Sequence, residues 1–234
     1  MKFVFKKIGF KPTIFWAFHP RSVKLFASLG EKITVYHCID GYSSEKPNKS
    51  RKNALKKLEN EITQKADVVF VCSKELLKLK NKLRADAVLL LPGVDLDNFE
   101  IAIKQNAPAD INIIKSPRIG FAGSLDRRLD VKLISEIAMQ RPAWSIVLIG
   151  PNRLNTKSKQ ILDKSKNIFF LGQKSIKEIA AYLSALDICN LPYFIDEFTK
   201  YIFPLKLFEY CAVGKPIIST ALPDLMNYSD FVAI

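Results

Sequence analysis

Short apolar runs alternate with amphipathic stretches along almost the whole chain, and this alternation restricts the fold more than any other feature of the sequence. "TIFWAF" (13–18), "KITVYHC" (32–38), "DVVFVC" (67–72) and "AVLLLP" (87–92) read as strands. Between them "RSVKLFASLG" (21–30), "KNALKKLENEITQKA" (52–66) and a stretch capped by Ser73 read as helices, with Leu55, Leu58 and Ile62 on one stripe of the second. A second series runs through "RIGFAG" (118–123), "WSIVLIG" (144–150), "NIFFLG" (167–172), "DICNLP" (187–192) and "KPIIST" (215–220). Helical patterns at 130–140, 156–165, 175–186 and after Pro204 separate these strands. Strands alternating with helices predict parallel sheets covered on both faces. Two series predict two doubly wound α/β domains. Residues 99–117 show no period and are bounded by prolines, so they are expected to carry the crossing, with domains at 1–105 and 106–234.

Composition excludes several classes. The chain has 234 residues, 48% of them hydrophobic, enough for one or two globular domains. No stretch approaches the roughly 20 apolar residues that span a bilayer, and "MKFVFKKIGFKP" has no apolar core or cleavage site of a secretory signal. Cys38, Cys72, Cys189 and Cys211 are scattered, which fits reduced thiols in a cytoplasmic protein. With only His19 and His37 for imidazole ligands, no metal site is expected. The net charge of +13 is concentrated at 46–57 and 74–84. It admits solvated helix faces, an anionic membrane surface or phosphorylated ligands. Nucleic acid is the weakest partner, since no aromatics interleave with the lysines.

Ligands of doubly wound sheets bind beyond the carboxyl ends of the strands. Three loops lie on that edge of the second series. In "GSLDRRLD" (123–130) a glycine ends the strand and Arg127 and Arg128 precede a helix; an arginine there can hold a diphosphate, or simply decorate a turn. In "FLGQK" (170–174) Gly172 again ends a strand. In "PLKLFEYCAVGKPIIST" (204–220), Pro204 suits a helix start, leaving the Leu205 and Lys206 amides as donors for an anion. Lys206 and Glu209 share a face; the carboxylate can take the vicinal diol of a ribose, or the two can form an exposed ion pair.

Five segments together, "PLKLFEYCAVGKPIIST", "PRIGFAGSLDRRLD", "NIFFLGQKSIKEIAAYLSALDICNLPY", "ADVVFVCSKEL" and "LPGVDLDNF", resemble the GT-B glycosyltransferases of the large retaining group that uses nucleotide-sugar donors. The resemblance covers nearly the whole chain. It implies two Rossmann-like domains, acceptor on the first and donor on the second, and a metal-independent glycosyl transfer with no cofactor. It also implies a sugar or lipid-linked envelope acceptor, with the protein in the cytoplasm or peripheral at the inner face of the membrane. By position, Glu209 matches the ribose-binding second glutamate of the family's paired motif. Arg128, with Gly123 and Ser124, falls where the donor diphosphate is met, and Leu205 and Lys206 match the helix start that faces the phosphates.

The chain departs from this pattern in three places. Tyr201 stands where the first glutamate of the pair is expected. In "YHCIDGY" (36–42), Asp40 is kept as an acceptor-side or catalytic candidate, but two acidic positions have become His37 and Gly41. The chain is also shorter than family members at both ends, so its first domain is expected to be incomplete, or completed by a partner chain. His19, in "FHP", is a candidate base or a structural residue at a strand end. "DLD" (95–97) has the form of a metal-binding D-x-D but sits in a turn that the resemblance explains. Two other classes stay open: a non-catalytic nucleotide-sugar-binding subunit, and a basic module for membranes or nucleic acid.

Overall fold

The computed structural model describes residues 2–42 and 49–234; the start of the basic run at 46–57 therefore lies outside the described residues. The chain divides into two compact units, Met1–Pro92 with Asp196–Phe203, and Gly93–Ile195 with Pro204–Ile234. The division falls earlier than the expected boundary at 105/106. Residues 96–103 are a helix, α4 (Leu96–Ile103), that buries Phe99 and Ala102 against the helix Ile176–Ser184 of the second unit. Asp95 caps it, its side chain accepting from the Asn98 amide at 3.4 Å. That cap accounts for the first aspartate of "DLD" without a metal. A second short helix, α5 (Ala109–Asn112), occupies what the sequence presented as aperiodic linker.

The first unit opens with helix α1 (Lys2–Lys7) and builds a four-stranded parallel sheet from β1 (Ile14–Ala17), β2 (Ile33–Cys38), β3 (Val68–Val71) and β4 (Val88–Leu89), in that order. Helices α2 (Lys49–Lys65) and α3 (Lys74–Lys80) follow β2 and β3. The expected helix at 21–30 is only a 3-10 turn, Pro20–Leu25. Ala27 then adopts φ 60°, and the Glu31 carboxylate captures the Ala27 and Leu29 amides at 2.5 and 3.1 Å, which ends the helical run.

One face of this sheet is packed. Tyr36, Cys38, Val69 and Val71 bury against Ile62 and Leu76, with Ala17 and Val23. Within that core lies an ion pair, Lys80 Nζ to Glu59 Oε1 at 2.5 Å, both side chains at most 2% exposed. Part of the basic excess at 74–84 is thus internal structure. The other face carries Ile14, Trp16, Val88 and Leu90, all at least 40% exposed, with Trp16 stacked on Phe70 at 5.5 Å. A parallel sheet covered on both faces was the expectation; here the second face presents apolar side chains to solvent.

The second unit follows the expected series. Its six parallel strands are β5 (Arg118–Ala122), β6 (Ser145–Ile149), β7 (Ile168–Gly172), β8 (Ile188–Leu191), β9 (Ile217–Ser219) and β10 (Val232–Ala233). Helices α6 (Val131–Gln140), α7 (Thr156–Leu162), α8 (Ile176–Ser184) and α9 (Lys206–Ala212) connect them. The order is β10-β9-β8-β5-β6-β7, the doubly wound Rossmann arrangement, whose direction reverses between β5 and β8. β6 is buried at all five positions, as a central parallel strand must be.

The buried pair in the first unit yields a test. Lys80→Met strands a carboxylate in the core and should destabilise the protein by about 3–5 kcal/mol, whereas Glu59→Leu combined with Lys80→Met should be close to neutral. Urea denaturation followed by circular dichroism distinguishes the two.

Candidate functional site

The reversal of strand order places a site at the carboxyl ends of β5 and β8, and α9 is fixed there by its own sequence. Tyr210 is fully buried; its hydroxyl accepts from the Ala122 amide at 3.1 Å and donates to the Asn190 carbonyl at 3.4 Å. Leu207 packs beside it, fully buried, and Gly214, at φ 66°, closes the helix with its amide on the Cys211 carbonyl at 3.0 Å. With Leu207 and Tyr210 turned inward, Lys206 and Glu209 face the strand ends.

They line a cavity of about 230 Å³ together with Gly123, Ser124, Gly150, Pro151, Gln173 and Ser175. Two glycines make its floor. Gly123 sits at φ 151°, and a Cβ there would stand 2.1 Å from Cε of Lys206. Gly150, at φ 139°, passes so close that a Cβ would lie 2.0 Å from the Gly123 carbonyl oxygen. Side chains at either position would close the cavity and strain the backbone. Gly172, at φ 69°, lies behind this floor, its carbonyl accepting from the Gly150 amide at 2.8 Å.

The polar groups of this cavity are poorly satisfied by the protein itself. Neither the Lys206 nor the Glu209 side chain forms a hydrogen bond or ion pair with a described residue, the ammonium lying only over the Phe121 ring at 5.7 Å, so the exposed-pair alternative does not describe them. Both are half-buried. Burial pushes the Glu209 carboxyl above its ordinary value, and Lys206 opposes this only in part. Burial pushes the Lys206 ammonium down; Glu209 opposes the shift and the charge of Arg128 adds to it. Ser124 Oγ is shielded from solvent; it lies near enough to Asp126 to help lower that carboxyl but makes no well-aligned hydrogen bond. The amides of Leu205 and Lys206 form no hydrogen bond with a described group, while Leu207 and Phe208 donate back to Pro204 and Leu205. The helix begins at Lys206 with Leu205 as its cap residue, slightly later than Pro204 suggests.

Arg128 stands outside this lining. Its guanidinium grips Asp126 through Nε at 2.9 Å and Nη2 at 2.6 Å, about one-third exposed. Burial alone would raise the Asp126 carboxyl, but the bonds to Arg128 hold it below its ordinary value. Lys174 was not singled out by the sequence. It lines the cavity wall, yet its ammonium is held by Asp110 at 2.6 Å and lies 4.4 Å over the Tyr182 ring. Ser175 and Glu178 form a capping box at the start of α8, a signal legible in "SIKE".

The remaining candidates belong to the first unit. His19 caps the Pro20–Leu25 turn, Nδ1 accepting from the Arg21 amide at 3.2 Å, with its ring 5.0 Å from Tyr42. Asp40 follows β2, half-buried, and its carbonyl accepts from the Tyr42 amide at 2.9 Å. Two departures noted in the sequence meet here: Gly41 is buried against Tyr201, where a Cβ would lie 2.7 Å from the Tyr201 ring. Cys38, Cys72 and Cys189 are buried free thiols, while Cys211 is exposed. Among the described residues, no three His, Cys, Asp or Glu side chains form a metal-binding group.

A Rossmann-ordered sheet with a glycine-floored cavity at its reversal, in a chain that also holds a second parallel-sheet unit, is the two-domain GT-B fold. Solved structures share it. A sucrose-phosphate synthase from Thermosynechococcus elongatus aligns over 97% of this chain and 60% of its own length, with TM-score 0.71 and 20% identity. A TarM variant of S. aureus, in complex with fondaparinux, alpha-GlcNAc-glycerol and UDP, aligns over 97% of this chain and 45% of its own, with TM-score 0.69 and 13% identity. Residues 116–230, within the second unit, match the family model described as glycosyl transferases group 1. A Bacillus subtilis (strain 168) protein, TuaH, whose name proposes it as a teichuronic acid biosynthesis glycosyltransferase, is 30% identical over 201 residues. That alignment takes in 81% of this chain and 50% of the relative, so the chain spans about half the relative's length.

The unpaired charges predict a measurable cost. The folded pKa of Glu209 lies above its unfolded value, so its contribution to stability is fully present at low pH and is lost as pH rises through the folded pKa. That of Lys206 lies below its unfolded value, so its contribution is lost as pH falls through the folded pKa. Each therefore carries its charge at a cost. Glu209→Gln and Lys206→Met should each raise the thermal midpoint, and the gain from Glu209→Gln should shrink as pH is lowered towards 4. Scanning calorimetry across pH checks both.

Proposed function

We propose that this protein is a glycosyltransferase whose residues 118–234 bind the nucleoside diphosphate part of a nucleotide-sugar donor. The observation that carries this reading is the convergence of the Lys206 and Glu209 side chains, neither in an ion pair, with Ser124 on one glycine-floored cavity at the start of a helix whose first amides are free. A diphosphate meets the two amides and the Lys206 ammonium, and Gly123 and Gly150 let it approach the backbone. The Glu209 carboxylate accepts from both hydroxyls of a ribose, for which it must be ionised; the neighbouring Lys206 charge favours that form. Arg128 reaches the phosphates by exchanging the Asp126 carboxylate for them. As the glycosyl bond breaks, negative charge grows on the departing diphosphate, and these same groups stabilise it. The reading needs no metal, since cationic side chains and amides take that role.

The acceptor is proposed to be an envelope polysaccharide or a lipid-linked sugar, on the name of TuaH and the basic charge, with His19 and Asp40 as acceptor-side candidates of the first unit. Such acceptors are met in the cytoplasm, at the inner face of the membrane, where anionic headgroups attract a protein of net charge +13. No helix among the described residues is long and apolar enough to cross a membrane.

One observation favours a second reading, a donor-binding subunit that acts only with a partner chain. The outer face of the four-stranded sheet exposes Ile14, Trp16, Val88 and Leu90, which a partner would cover.

Titration calorimetry with UDP, GDP, ADP and their common sugar conjugates tests the donor site. One base is expected to bind selectively, and Glu209→Ala, Lys206→Ala and Arg128→Ala each to weaken it by about 1 kcal/mol or more. A folded protein that binds none of them refutes the reading. Binding without transfer to any acceptor, relieved by a second polypeptide, favours the subunit.

A further inference from the structure

A larger concavity lies at the opposite ends of the same strands. It is a groove of about 1040 Å³ in the second unit, walled by the segment before β5, the α6–β6 turn and the α7–β7 turn with β7 itself. Most of its residues lie where the chain enters the strands, whereas the donor cavity lies where it leaves them; the two linings adjoin only at the end of β7 and at the Asp110–Lys174 ion pair. Nothing in the proposed donor chemistry uses it.

The groove's lining is mostly apolar and carries three lysines. Ile113, Met139, Trp144, Phe169 and Phe170 supply large apolar surface. Ile113 is 84% exposed and Met139 60%, a cost in water that no packing contact relieves. The wall is preformed, since the Asn167 side-chain amide donates to the Ala138, Arg141 and Trp144 carbonyls at 3.0, 3.2 and 2.8 Å and so fixes the α6–β6 turn. The lysines are Lys115, Lys164 and Lys166, none with a hydrogen bond or ion pair to a described residue. Beside them Ser165 Oγ is shielded from solvent and has no partner. The Asp110 carboxylate in the lining is already committed to Lys174 and the Tyr182 hydroxyl at 2.6 and 2.7 Å. The volume is at the upper end of the about 300–1,000 Å³ that small-molecule sites occupy.

We propose that this groove binds one molecule of an anionic amphiphile. Its hydrocarbon chain lies along Met139, Trp144 and Phe170, and its phosphate meets Lys115, Lys164, Lys166 and the Ser165 hydroxyl. A neutral amphiphile would leave the lysines unused, and a free phosphate would leave the apolar trough wet, so the two halves of the site select one ligand that carries both. The site stands apart from the donor reading and does not depend on it.

The test is titration calorimetry of the full chain with dodecyl phosphate below its micellar concentration. Saturable binding of one molecule per chain is expected. Decyl phosphate, shorter by two methylenes, should bind about fifteenfold more weakly, each buried methylene contributing about fourfold. Lys164→Glu with Lys166→Glu should lower affinity about tenfold or more, and Ile113→Asp with Met139→Asp should abolish the chain-length dependence. All four positions are exposed, and unchanged circular dichroism and thermal midpoints confirm that the variants fold. Equal binding of dodecyl maltoside, equal binding of inorganic phosphate, or indifference to the lysine reversals would overturn the proposal. Binding to phosphatidylglycerol vesicles with none to monomeric dodecyl phosphate would overturn it too, in favour of a bilayer surface.

Discussion

The hydroxyl of Tyr210 holds together the part of the molecule on which the rest depends. β5 and β8 pair only through Ile119–Ile188 and Gly120–Cys189, and beyond those positions the two strands have no ladder between them. The buried hydroxyl fills that interval, taking the Ala122 amide from one strand and giving its proton to the Asn190 carbonyl of the other. It satisfies backbone groups that would otherwise be buried and unpaired. It also fixes the rotation of α9, because a helix anchored at Tyr210 has no freedom in where Lys206 and Glu209 point. One hydrogen-bonded ring therefore sets both the opening of the sheet and the polar lining of the cavity.

The site is organised around groups that the fold leaves unsatisfied. Lys206 and Glu209 are close enough to influence each other's protonation yet form no ion pair, and the shielded Ser124 hydroxyl has no well-aligned hydrogen bond. Elsewhere the protein does the reverse. Lys80 and Glu59 are buried more deeply and are directly paired, and Lys174 is held by Asp110 and Tyr182. Buried charges are normally neutralised in this way. The contrast separates the cavity from the structural ion pairs more sharply than any single distance does.

Much of the second unit was legible because its strands are buried on both faces and so read as unbroken apolar runs, such as "WSIVLIG". Gly123, Lys206 and Glu209 were legible because Pro204 and Gly214 punctuate α9 and fix which face each residue takes. Helices α4 and α5 were missed: each is short, and the Asp95 cap that starts the first resembles an ordinary turn signal. The 21–30 stretch has a helical pattern but is unwound by the Glu31 side chain, a local competition that periodicity does not register. Tyr210 offered no signal, since a buried hydroxyl bridging two strands looks in sequence like any aromatic core residue. Gly41 and Tyr201 read as two separate departures, 160 positions apart, because only the folded contact joins them.

Residues Asp196–Phe203 are counted with the first unit although the chain on both sides of them belongs to the second. Phe198, Ile202 and Phe203 are buried there, and Thr199 is almost wholly enclosed. The chain therefore enters the first unit twice. Severing the backbone at Pro92 would leave the larger piece carrying an apolar loop made for the smaller one. Neither piece would then hold a complete set of core residues. A single crossover at Pro92 would exchange the first unit without the loop that returns to it.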